Sequence, residues 1–305
     1  MNLAETSSGA SSKRVPAPAL FIVAALVQYV GAGIAVTLFD TVAPSGVVWW
    51  RMAAGAAGLV VLWRPWRTKW TRRTLLNATI FGVWLAAMNL AFYEAIARIP
   101  LGTAVAVEFV GPVAVAVFRG EGARSKVSAA LAFMGVVLIG GWGLDFGQPQ
   151  ALHGFLFALL AATAWSGYIL MGSKLSDEGS PGVSLALGLS VASLLFLPFL
   201  GRASFDFPFS WGLVAALVAV GVLSTTIPYS IEAIAFGRLS AATFALLTAL
   251  LPATSTLVGL VMLRQVPSLA ELAGLGLVSG AVWLASRDDE QRSEGGPKAV
   301  GEAQA

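Results

Sequence analysis

Apolar residues run along this chain in stretches of about twenty, each ended by a short polar or proline-containing break. A helix crossing the hydrocarbon core of a bilayer needs about 20 mostly apolar residues. By that rule residues 18–39, 43–62, 75–97, 101–118, 126–144, 152–172, 182–200, 210–235, 240–262 and 269–285 form ten candidate spans. The breaks carry turn chemistry: Asp40 to Pro44, Arg64-Pro65, Pro100, Gly120 to Gly122, Gln148-Pro149, Pro181, Pro208 and Pro267. The pattern predicts an all-α polytopic membrane protein with ten transmembrane helices.

The cationic residues give this bundle an orientation. The two tails and the even-numbered loops hold fifteen Lys and Arg residues, and the odd-numbered loops hold only Arg98, Arg202 and Arg264. Positive residues stay on the cytoplasmic side, so both termini are expected there. Arg51 is the remaining cation, and it falls inside the second span. The N-terminal tail lacks a small-residue cleavage site after a short apolar core, so no removable signal peptide is read and the first apolar run stays as a span.

Three landmarks recur at nearly constant offset. Glu94-Ala-Ile-Ala returns as Glu232-Ala-Ile-Ala, 138 residues on; Pro112 returns as Pro252, offset 140; and the polar patch closed by Gly31 returns as the patch closed by Gly167, offset 136. These offsets predict two repeats, residues 16–146 and 147–286, between a cytoplasmic tail at 1–15 and a disordered cytoplasmic tail at 287–305. With five spans each, an odd number, the second copy is inverted in the membrane. Inverted repeats are a transporter signature, with the site near the midplane between halves.

Composition narrows the chemistry. The chain of 305 residues is 57% hydrophobic and 11% charged, where soluble domains carry roughly 25% charged residues. With no cysteine and one histidine, His153, disulfides, thiolate metal sites and cysteine nucleophiles are excluded and a histidine-based triad is disfavoured. No cofactor and no metal is expected. The small positive net charge of +3 reflects loop topology, so no nucleic acid is expected as partner.

Polar groups inside spans are costly, at least ~2.5 kcal/mol for a charge at the helix centre, and so mark sites. Glu108 stands in the apolar run 101–118 with Pro112 four residues on, a charge beside a disturbed helix. At a rise of about 1.5 Å per residue, Glu108 lies about 10 Å, Arg51 about 12 Å and Asn89 about 13 Å from the outer ends of their spans. Gln28 falls near the midplane of the first. Two readings of this cluster stand side by side. Arg51 and Glu108 can pair to cancel each other and hold helices together, or they can meet a zwitterion. In the second reading Glu108 takes an ammonium or a proton and Arg51 takes a carboxylate.

Trp165, Tyr168, Thr225, Thr226, Pro228 and Tyr229 are candidates for the other half of a cavity, with plain helix packing as the alternative. Glu94 and Glu232 sit at mirror depths near opposite ends, and structural or gating contacts with Arg98 and Arg238 are expected for them. The tryptophans Trp49, Trp50, Trp63, Trp66, Trp70 and Trp211 lie near span ends and read as interfacial anchors. The position 140 beyond Glu108 is Thr248, so the acidic site is not duplicated.

Met88-Asn89-Leu90-Ala91-Phe92-Tyr93, then Ile99 to Val105, then Glu108-Phe109-Val110-Gly111-Pro112-Val113 resemble the threonine/homoserine exporter branch of the EamA-type drug/metabolite transporters. The blocks Arg51 to Gly55, Arg64 to Arg67 and Leu223 to Ser230 support the resemblance. It implies ten helices in two inverted repeats and efflux of small amino acids or related metabolites across a bacterial inner membrane. Tyr93, inside the resembling block, is counted with the site, and Pro112, Pro228 and Pro252 as gating or structural positions. The chain departs from that branch in span nine, with Leu250-Leu251 before Pro252, and in the next loop, with Arg264-Gln265.

The reading is therefore an alternating-access exporter that uses a proton gradient or exchange. The alternatives are an uncoupled facilitator, or an exporter of another metabolite or drug. An intramembrane enzyme is a remote alternative, because Ser173 and Ser224 have no membrane histidine beside them. The expected partners are a small-molecule substrate, protons and the lipid bilayer. A homodimer is left open by the sequence.

Overall fold

The computed structural model describes residues 17–69, 71–119, 123–139, 144–176, 181–236 and 250–295. Among the described residues there are helices and turns but no strand. In chain order the helices are α1 (Ala17–Leu38), α2 (Pro44–Trp63), α3 (Arg72–Ile96), α4 (Leu101–Glu108), α5 (Val110–Arg119) and α6 (Ala123–Leu138). They continue as α7 (Pro149–Ser176), α8 (Pro181–Phe205), α9 (Trp211–Gly221), α10 (Ile227–Phe236), α11 (Leu251–Leu263) and α12 (Leu269–Gly295). A π-helical segment, Val222–Thr226, joins α9 to α10. Six helical stretches are long and apolar enough to cross a membrane, and 101–115, 251–263 and 269–284 are shorter apolar helices.

Local chemistry explains the boundaries. Pro44 opens α2, where its missing N–H costs nothing, and Arg64 closes it in the left-handed region at φ 49°. Thr71 caps α3 by accepting from Thr74 N–H, and Ser210 caps α9 by accepting from Leu213 N–H. The run 101–118 is two helices that part at Phe109. Pro112 leaves the carbonyl of Glu108 without its helical donor, and the next bond, Val113 N–H to Phe109, is stretched to 3.3 Å. The run 210–235 is interrupted by the π turn just ahead of Pro228, for the same missing N–H.

Two sequence expectations are corrected here. Residues 287–295, expected in a disordered tail, continue α12 as helix. Glu290, Gln291 and Arg292 are good helix formers. Trp49 and Trp50, read as interfacial anchors, are half-buried between helices. Their indoles donate to the carbonyls of Ser193 (2.9 Å) and Ser204 (2.8 Å) on α8. Trp66 and Trp211 are exposed and Trp63 packs on Gly182, whereas Trp70 lies outside the described residues.

Without a hydrophobic drive between helices in lipid, association depends on close packing and interhelical hydrogen bonds. Helices α2 and α8 lie antiparallel along their length: Gly46 abuts the carbonyl of Ala203 at one end and Trp63 lies on Gly182 at the other. Likewise Gly135 meets Val278 and Ile139 meets Gly274, which sets α6 against α12. Tyr93, Phe109, Met52, Leu59 and Leu85 fill the interior. Phe133, Leu194, Phe199 and Val261 point outward, an apolar exterior suited to lipid.

Candidate functional site

The buried polar residues come together around Arg51, which α2 carries inward at 5% exposure. Its Nε donates to Thr225 Oγ1 and its Nη2 to the carbonyl of Ser224, both at 3.1 Å. The guanidinium carbon stands 5.1 Å from the centroid of the Tyr93 ring, a cation–π approach. No hydrogen bond to Nη1 is formed among the described residues. Gly55 on α2 makes the contact with the π turn feasible, because a Cβ there would collide with Thr225.

Glu108 is buried at the end of α4, within electrostatic reach of Arg51. Among the described residues its carboxylate forms no hydrogen bond and no ion pair. The pairing of Arg51 with Glu108 that the sequence allowed is therefore absent. The guanidinium bonds to the π turn instead, where Pro228 removes the N–H that would hold the Ser224 carbonyl in an α-helix. Phe109, the residue after Glu108, sets its ring edge-to-face on Trp165 at 4.7 Å. Ser166 Oγ, on the same helix as Trp165, donates to the carbonyl of Gly111 and ties α7 to the broken span.

Asn89 and Tyr93 lie one turn apart on α3, on one face. Asn89 Nδ2 donates to the carbonyl of Leu85 at 2.7 Å, whereas Asn89 Oδ1 and the Tyr93 hydroxyl are buried with no hydrogen-bond partner among the described residues. Such groups cost about 1–3 kcal/mol each when left unpaired, so two of them near a buried arginine and carboxylate need a physical reason.

The other sequence candidates fall around this centre. Gln28 is half-buried, and its backbone carbonyl accepts from Ser224 Oγ at 3.3 Å. Thr226 is buried with its hydroxyl donating to the carbonyl of Gly55. Tyr168 stacks on Phe81 at 4.7 Å, and Tyr229 is half-buried on α10. Glu94 is apart from the cluster, bonded to Arg98 at 2.6 Å, with the Arg98 guanidinium over the Phe157 ring. Pro228 and Pro252 are buried near the starts of α10 and α11. The side chain of Glu232, Arg238 and Thr248 lie outside the described residues.

Sequence reasoning missed one buried carboxylate. Glu271, in the first turn of α12, accepts from Thr103 Oγ1 at 2.5 Å and from Ser268 N–H at 2.8 Å, while Ser268 Oγ accepts from Glu271 N–H. The signal was available as Ser268-Leu269-Ala270-Glu271, a capping box. Gln265, one of the departures from the family pattern, has a structural role. Its Oε1 accepts from Leu101 N–H, the first orphan donor of α4.

An all-helical bundle with an apolar exterior, a broken helix and buried unpaired polar groups defines an integral membrane transporter. Residues 152–287 match the EamA-like transporter family. The chain is 35% identical over 251 residues to "Threonine/homoserine exporter RhtA" of Escherichia coli strain K12, covering 82% of this chain and 84% of that one. It is also 35% identical over 235 residues to the exporter of that name in Salmonella typhimurium strain LT2, covering 77% of this chain and 79% of the other. A protein of known crystal structure shares the fold, with TM-score 0.58 at 22% identity over 91% of this chain and 98% of that one. The chain belongs to the EamA-like transporter family and is a multi-pass protein of the bacterial inner membrane, a transporter rather than an enzyme.

Proposed function

We propose that this protein exports small amino acids, of the kind that name its threonine/homoserine exporter relatives, by alternating access through the Arg51–Glu108 cluster. In this reading the ten spans form two inverted five-helix repeats with both termini cytoplasmic. The substrate carboxylate docks on the Nη1 edge of Arg51. The carboxylate of Glu108 receives the ammonium group, or a proton when the substrate has left. Asn89 Oδ1 and the Tyr93 hydroxyl take the substrate's remaining polar atoms, and Gln28, Trp165, Tyr168, Thr226 and Tyr229 line the approach.

The observation that carries the reading is the pair of unpartnered buried groups, Asn89 Oδ1 and Tyr93 OH, one turn apart beside a guanidinium with a free edge. A cluster built only to hold helices together would satisfy its own members. The break at Pro112 and the helix start at Pro252 give spans points at which to bend, and the Glu94–Arg98 pair serves as an outer gating contact with Glu232 as its inner counterpart. Coupling comes from competition at Glu108, since a carboxylate that holds a proton cannot also hold an ammonium.

The test is uptake of labelled threonine, homoserine, small neutral amino acids and an aromatic control into proteoliposomes, with and without a pH gradient. Glu108→Gln should abolish the response to the gradient and cut uptake of the zwitterionic substrates. The reading fails if Glu108→Gln transports every substrate as the unaltered protein does, with unchanged proton dependence.

A further inference from the structure

The anchoring of Arg51 depends on a group that is missing from another helix. In an unbroken α-helix the N–H of residue 228 would bond the carbonyl of Ser224, but Pro228 has none. The chain widens there into the π turn, with Ile227 N–H reaching back to the carbonyl of Val222. The Ser224 carbonyl accepts from Arg51 Nη2, and Thr225 Oγ1 accepts from Arg51 Nε beside it. The turn itself is held on both sides. Ser224 Oγ donates to the Gln28 carbonyl, Thr226 Oγ1 donates to the Gly55 carbonyl, and Gly31, Gly55 and Gly58 leave no room for a Cβ against it, while Gly221 just before it leaves none against α2. Single π turns inside α-helices are frequent at functional sites.

We propose that Pro228 and Thr225 are positioning residues of the transport site: they fix the guanidinium of Arg51 so that its Nη1 edge is presented to the substrate carboxylate. The inference rests on the reading of Arg51 as the carboxylate ligand. Neither residue touches the substrate. An arginine without these anchors would have to be ordered by the substrate itself, and that ordering weakens binding. The consequence falls on recognition of the carboxylate and not on the rate of the conformational cycle.

The experiment compares an amino-acid substrate with its α-carboxamide, which keeps the ammonium and the side chain but loses the negative charge. Both are used as competitors of labelled substrate in proteoliposomes, with KM and kcat of the labelled substrate measured in parallel. Thr225→Val keeps the shape and removes the acceptor; Thr225→Ser keeps the acceptor; Pro228→Ala restores an N–H that competes for the Ser224 carbonyl. Thr225→Val and Pro228→Ala should raise KM about tenfold, the scale of one lost hydrogen bond to a charged group. They should leave kcat within about twofold, the KM effect being ground-state binding, and shrink the preference for acid over carboxamide. Thr225→Ser should retain the unaltered preference.

The proposal is overturned if Val and Ser at position 225 behave alike, or if kcat falls equally for every substrate while the preference stands. Arg51→Gln, which removes the charge, separates the two layers. If it leaves the preference for the acid unchanged, Arg51 does not bind the carboxylate and both readings fall. If it lowers the preference while Thr225→Val and Pro228→Ala do not, the positioning role alone is refuted.

Discussion

Thr103 donates its hydroxyl proton to Glu271 across 2.5 Å, joining α4 to α12 through a buried carboxylate. The same carboxylate accepts from Ser268 N–H, so one side chain both caps a helix and fastens it to the broken span. A carboxylate in the first turn is also favoured by the helix dipole.

Removing different parts of this contact should cost different amounts. Ser268→Ala loses one cap bond, about 1 kcal/mol. Glu271→Ala loses the cap partner and leaves the Thr103 hydroxyl buried and unpaired, a further cost of about 1–3 kcal/mol. Thermal melting of the purified protein in detergent should rank Glu271→Ala below Ser268→Ala, and equal melting temperatures would remove the interhelical bond from the account.

The glycines divide by what surrounds them. A Cβ at Gly46 would run into the carbonyl of Ala203, and one at Gly55 into Thr225, whereas nothing lies within 4 Å of the position at Gly276. Gly46→Ala and Gly55→Ala should therefore reduce the yield of folded protein or its melting temperature by separating helices. Gly276→Ala should be neutral or stabilising by up to about 1 kcal/mol, the helix propensity difference. Monodispersity on size exclusion and melting temperature check all three.

Trp50 binds α2 to α8 through one N–H to the carbonyl of Ser204. Trp50→Phe keeps most of the ring but removes the donor, and should cost about 0.5–1.5 kcal/mol. Trp211→Phe, at an exposed indole, should leave melting unchanged. Equal effects at both sites would return Trp50 to the role of an interfacial anchor.

The Glu94–Arg98 pair is partly exposed, with side chains 16% and 29% accessible. Exposed ion pairs contribute about 0–1 kcal/mol, so Arg98→Gln should shift melting little. A gating role predicts a different signature, a changed transport rate at unchanged stability. Uptake measured beside melting for this one variant separates the two.

Much of the centre was legible before any coordinates. Glu108, Arg51 and Asn89 stand out because a polar group in an apolar run is expensive, and residue counting alone places them at one depth. Pro112 beside Glu108 announced the break at Phe109 for the simple reason that proline has no N–H. The identity of Arg51's partners was not legible. Ser224 lies 173 residues away, and the relevant acceptor is a main-chain carbonyl, which every residue possesses. Glu271 was readable as a capping box, but its bond to Thr103 spans 168 positions and depends on how two helix ends meet.

Hydropathy along the chain is enough to make this a helical membrane protein and to pick out the few polar residues inside its apolar runs. Those follow from hydropathy and from the cost of charge in hydrocarbon, both local properties. That Arg51 turns to the π turn of Ser224 and Thr225 instead of to Glu108 follows from helix packing alone. That choice depends on helices separated in sequence approaching closely enough, at Gly55 and Gly221, for a side chain of one to reach the backbone of another. It leaves Glu108, Asn89 Oδ1 and the Tyr93 hydroxyl unpaired among the described residues, the arrangement on which the proposed site rests.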